Sequence, residues 1–129
     1  MQWAGDTARA VVVIGTCLPT DAREQDKAPA EALLEALREG IDNFTQLLGR
    51  LAGSFTVIFG HVGDIRVAAD ATAMSSLFYA RRGGLVASHA ELVSRALGQE
   101  AFAATSPYRH GFPGLRTPFP HVRMLTAGT

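Results

Sequence analysis

Hydrophobic and polar positions change period several times along the chain, and each change marks an element. Ala8 to Thr16 is a β-branched apolar run closed by Gly15, the pattern of a buried strand. Between Pro29 and Gly40, Ala30, Leu33, Leu34 and Leu37 recur at helical spacing, with proline suited to the first turn and glycine to the C-terminal cap. A short second helix is expected next, with Asp42 as its N-cap and Phe44, Leu47 and Leu48 on one face.

From Gly53 to Phe59 the period falls to two. Phe55, Val57 and Phe59 alternate with Ser54, Thr56 and Ile58, and Ile65, Val67 and Ala69 alternate again beyond Gly63-Asp64, which predicts a hairpin. Leu77–Ala80 and Leu85–Ala87 flank Arg81-Arg82-Gly83-Gly84 and predict a second one. Ser88 to Leu97 follows as a helix, with Ser88 as N-cap and Glu91 completing a capping box. A short helix near Glu100–Ala104, an extended connector over Pro107–Pro120 and a last strand over His121–Leu125 complete the expectation. The order is α+β with antiparallel pairing. Phe55, Val57, Phe59, Ile65, Val67, Leu77, Leu85 and Val86 are the expected core.

Composition narrows the class. A chain of 129 residues, 47% apolar and 19% charged, is expected to fold as a single domain, 1–129, with 106–129 as its extended connector. Twelve basic residues balance twelve acidic ones, and eleven of the basic residues are scattered arginines. That balance argues against a nucleic-acid or anionic-membrane partner, which needs a basic excess. The run from Ala10 to Gly15 is too short to span a bilayer or to form a signal-peptide core, so a cytoplasmic location is expected. The single cysteine, Cys17, excludes an intramolecular disulfide and reads as a buried, inert thiol.

Local chemistry is sparse. Ser88, His89 and Asp70 include the residue types of a hydrolytic triad, but no nucleophile elbow surrounds any serine. His61, His89, His110 and His121 lack the spacing of a helical metal pair, so no metal site is expected. Arg81-Arg82 reads as a solvated hairpin tip, and the glycines punctuate turns without forming a phosphate loop.

The order of segments carries more. Leu51-Ala-Gly-Ser-Phe55 with Thr56-Val-Ile-Phe59 resembles the Leu-x-Gly-x-Phe strand of the class II glutamine amidotransferase (glutaminase) domain of asparagine synthetases. Arg66-Val-Ala-Ala-Asp70 followed by Leu77-Phe-Tyr-Ala80 is similar to that family's Ala-Arg-Asp and Pro-Leu-Tyr-Tyr. Leu85-Val-Ala-Ser88 resembles its Phe-Ala-Ser strand. Ala30–Glu39 resembles the helix after its Ser-Asp-x-Glu motif, and Pro118–Gly128 the stretch that closes the domain. The resemblance runs from about Val11 to Gly128 and implies a truncated Ntn-hydrolase-like sandwich of antiparallel sheets with flanking helices.

It also implies that the glutamine pocket is degenerate. The family's nucleophile is an N-terminal cysteine whose free amine is the base. Here the strands that would carry it are expected to be missing, which would leave Val11–Gly15 or a neighbouring strand as an unpaired edge and favour a homodimer. Ile14, Gly15 and Thr16 stand where the family has Asn, Gly and Glu, and Pro29 stands where it has the aspartate that grips the substrate amine. Cys17 lies past the oxyanion position and is no substitute.

The resemblance therefore implies a catalytically inactive domain of the kind found in asparagine-synthetase-like ligases that use a free amine. Lasso-peptide cyclases, which close a macrolactam on a precursor peptide during peptide natural product biosynthesis, are the most similar. The ATP-using synthetase domain, with its Mg²⁺, is expected on another segment or chain, so this chain itself is expected to hold no cofactor. Its expected partners are that domain and a precursor peptide. The alternative is a free-standing module of the same fold that binds a peptide or protein at a sheet edge.

Overall fold

The computed structural model describes residues 1–20, 26–72, 76–99, 117–119 and 121–125. The elements are β1 (Gln2–Gly5), β2 (Ala10–Pro19), α1 (Pro29–Glu39), α2 (Ile41–Leu48), β3 (Leu51–His61), β4 (Asp64–Ala69), β5 (Leu77–Ala80), β6 (Leu85–Ala87), α3 (Ala90–Ala96) and β7 (Arg123–Leu125). The chain is α+β, and among the described residues every strand pair is antiparallel. The predicted helix at Glu100–Ala104, His110 and most of the Pro107–Pro120 connector lie outside the described residues. Packing divides the chain into two compact units, Met1–Met74 and Ser75–Thr129.

In the first unit, a four-stranded sheet runs in the order β1-β2-β3-β4. Its longest pairing joins β2 to β3 from Ala10↔Gly60 to Pro19↔Leu51. Alternation along these strands turns Val11, Val13, Cys17, Phe55, Val57 and Phe59 toward the helices, where Ala30, Leu33, Leu34 and Phe44 close the core. The Phe44 and Phe59 rings pack tilted, with centroids 4.2 Å apart. Gly40, at φ 150°, ends α1 with its N–H on Ala36 O and opens α2. Asp42 is therefore not the N-cap; it lies in the first turn, where a negative charge still favours the helix dipole.

The β1–β2 hairpin corrects the expected sheet. No β-branched run announces β1, yet it pairs with β2 over Ala10–Val13, so that stretch is interior and the edge passes to β1. Asp6 closes the hairpin. Its Oδ1 accepts the N–H groups of Ala8 and Arg9 at 2.7 and 2.8 Å, and its Oδ2 accepts the Arg38 guanidinium at 2.7 Å. The two backbone N–H groups, then Arg38, hold its carboxyl down to about 2.

Two expected core residues of β4 are on its outer face. The β3–β4 hairpin turns at Val62-Gly63, one residue earlier than expected, and pairs His61 with Asp64. That register sets Ile65 opposite Gly60 and Val67 opposite Ile58, on the face away from the helices, and leaves Ile65 71% exposed. Ala68 packs on the helix side instead.

The second unit holds a three-stranded sheet, β6-β5-β7, and α3. Its core is Ala80, Val93 and Val122, with Phe78, Leu85, Ala87 and Leu97 packed around it. Val86 alternates with Leu85 and is 45% exposed, so the two could not both be core. Leu77 is half-buried. His89, not Ser88, occupies the N-cap of α3, and no side chain caps that helix. Glu91 is drawn to Arg95, 2.6 Å away, rather than back to the helix start.

The β2–β3 pairing depends on two glycines. A Cβ at Gly53 (φ 128°) would stand 2.2 Å from Thr16 O, and one at Gly15 (φ 108°) 2.3 Å from Ser54 O. Gly53→Ala is expected to destabilise the fold by about 3 kcal/mol, through left-handed backbone plus a backbone clash. Gly49, at φ −67° and with its nearest neighbour 3.5 Å from the added carbon, should tolerate alanine within about 0.5 kcal/mol. Urea melts of both variants check this; equal losses would contradict the register.

Candidate functional site

The residues that the resemblance sets against a glutamine pocket are concentrated on β2. Ile14, Gly15 and Thr16 pair with Thr56, Phe55 and Ser54 in turn. The pleat turns Ile14 and Thr16 to the face away from the helices, where Ile14 is 45% exposed, and turns Cys17 back into the core at 7%. Gly15 is pressed against the Ser54 carbonyl and has no room for a side chain. Pro29 is the first residue of α1, on the helix-bearing face. The fold thus keeps three of these positions consecutive but places Pro29 across the sheet from Ile14 and Thr16.

The chemistry of this set is apolar. Ile14 and Pro29 carry no side-chain donor or charge, and Thr16 offers one short hydroxyl. Cys17 carries the only thiol of the stretch. Burial pushes its thiol up to about 11, the reverse of what an activated cysteine requires.

The hypothetical triad members are engaged elsewhere. Ser88 Oγ and His89 Nδ1 are 2.9 Å apart at an exposed corner before α3. Asp70 is 2% exposed and has a different task in the first unit. Its Oδ2 accepts the Phe55 N–H at 3.3 Å while its own N–H donates to Phe55 O at 2.9 Å. Its Oδ1 accepts the N–H of Thr72 at 2.9 Å and that residue's hydroxyl. Asp70 therefore fastens the end of β4 to the middle of β3. An Asp-x-Thr sequence directly after an alternating strand is the signal for such a clip.

Sequence reasoning passed over Arg9. It lines a cleft of about 220 Å³ with Leu37, Phe59, His61, Asp64 and Arg66. Both cations there already have partners within the chain: Arg9 Nη1 donates to Leu37 O at 2.7 Å, and Arg66 pairs with Asp64 at 2.9 Å. The Asp64 carboxyl is held below its ordinary value by that hydrogen bond. Arg81 and Arg82 sit exposed at the β5–β6 turn. Among the described residues, no group of three or more His, Cys, Asp or Glu is arranged to hold a metal ion. Among them also, no helix is long and apolar enough to cross a membrane.

Cys17 supplies the test of this geometry. Its thiol should react with a disulfide reagent at neutral pH only as fast as the fold opens, and Cys17→Ala should cost about 1 kcal/mol. Rapid stoichiometric labelling of the native protein would contradict the buried placement. Comparison of the chain with protein-family models, with curated proteins and with solved structures finds no match.

Proposed function

We propose that the chain is a catalytically inactive, glutaminase-like domain that supports an asparagine-synthetase-type, ATP-dependent amide ligase. A lasso-peptide macrolactam cyclase is the form of ligase it resembles most. The sequence of motifs from Val11 to Gly128 is the basis of the resemblance, and the antiparallel α+β layers are compatible with a truncated Ntn-hydrolase-like sandwich.

One observation carries the loss of activity. The β2 segment that would bear the oxyanion and substrate contacts presents Ile14, Gly15 and Thr16, and its only thiol is turned into the core. A glutaminase stabilises a tetrahedral oxyanion with preorganised donors, and removal of one such donor costs about 3 kcal/mol of transition-state stabilisation. Ile14 cannot donate to an oxyanion. Thr16 is too short to hold the glutamine as a glutamate would, and Pro29 has no charge for an ammonium group. With its thiol near 11, Cys17 is thiolate in less than about one molecule in a thousand at neutral pH.

In this reading the domain's contribution is structural. It packs against a synthetase domain that binds ATP and Mg²⁺ and activates a carboxyl group, and a free amine on the substrate replaces ammonia. The purified chain should release no ammonia from glutamine above the uncatalysed background, and Cys17→Ala should leave that unchanged. Glutamine hydrolysis abolished by Cys17→Ala would overturn the reading, because it would make Cys17 a nucleophile.

A further inference from the structure

The two edges of the four-stranded sheet are built differently. The β4 edge carries Asp64 and Arg66, paired at 2.9 Å with both side chains about half exposed. Any strand docking there has to desolvate that pair, which is how charged edges deter pairing. The β1 edge, Gln2-Trp3-Ala4-Gly5, has no charge and no proline. Asp6, the charged side chain that follows the strand, is folded back onto its own hairpin and Arg38. Trp3 is 69% exposed on this unguarded strand.

We propose that β1 pairs antiparallel with β1 of a second copy of this chain, joining two four-stranded sheets into one of eight strands. The symmetry of the strand favours this occupant. Two identical edges that pair antiparallel are related by a two-fold axis, so the contact closes as a dimer and leaves the guarded β4 edges outside. An uncharged strand meets its own copy without like-charge repulsion. Residues directly opposite in an antiparallel pair share a face, so the axis can set Trp3 against the Trp3 of the second copy and keep both helix layers on one side. Trp3 pairs with Val12, Val12 with Ile58, and Ile58 with Val67. The contact therefore continues one apolar row from β4 of one copy to β4 of the other. A four-residue strand buries less than the roughly 1,200 Å² of a standard stable complex, so the dimer is weak, with a Kd of about 10–100 μM.

Trp3 is the only tryptophan in the chain, so its emission reports this contact directly. Sedimentation velocity of the full chain from about 1 to 200 μM should show monomer giving way to dimer, with Trp3 emission moving to longer wavelength on dilution. Trp3→Lys should weaken the dimer at least about tenfold, whereas Trp3→Phe should retain it. Ile65→Lys, on the same face but beside the guarded edge, should leave the dissociation constant unchanged. Circular dichroism at the lowest concentration establishes that each variant is folded. A wild-type chain that stays monomeric at about 200 μM overturns the proposal. So does a dimer that survives Trp3→Lys, or one lost equally to Ile65→Lys, which would mean that faces stack rather than edges pair.

Discussion

The ladder between β2 and β3 is the constraint on which the first unit depends. It runs unbroken from Ala10↔Gly60 to Pro19↔Leu51, and Gly15 and Gly53 admit a backbone approach that any side chain would block. Once that register is set, alternation decides everything carried on it. Val11, Val13, Phe55 and Val57 become the floor beneath α1 and α2, each contributing roughly 1.5–3 kcal/mol by leaving water. Ile14 and Thr16 are sent to the opposite face by the same pleat. A slip of one residue would bury Ile14 and expose Val13, so the ladder is at once the stabilising element and the device that positions the candidate site.

Much of this was legible from periodicity. The alternation through Phe55, Val57 and Phe59, the helical spacing of Leu33, Leu34 and Leu37, and the Pro29 and Gly40 boundaries each reflect a local preference that agrees with the tertiary fold. What could not be read was set by longer-range partners. β1 has only Trp3 to favour a strand and is ordered by pairing with Ala10–Val13 and by the Asp6–Arg38 tie across 32 positions. Ile65 alternates like a core residue, but a two-residue turn sets it opposite an even-numbered position of β3, here Gly60, while Phe55, Val57 and Phe59 take the inner face, so the pleat turns it outward. Ser88 and Glu91 satisfy the pattern of a capping box, but each finds a nearer partner, His89 and Arg95. Of the candidate site, its residue types were legible, and so was the burial of Cys17. The separation of Pro29 from Ile14 and Thr16 by the thickness of the sheet was not, because alignment in sequence carries no information about faces.

The functional account rests on what β2 presents. Cysteine-dependent hydrolysis of glutamine needs a thiolate, a donor for the oxyanion and a charge to hold substrate, and the segment offers a buried thiol, the aliphatic Ile14 and the short hydroxyl of Thr16. The most direct test of the proposal is reconstitution with the synthetase domain of an asparagine-synthetase-type ligase, supplied with ATP, Mg²⁺ and a precursor peptide bearing a free amine. The account expects loss of one water from the peptide, seen by mass spectrometry, to require this chain and to proceed without glutamine. Equal product with the chain omitted, or product formed only when glutamine is consumed, would contradict it.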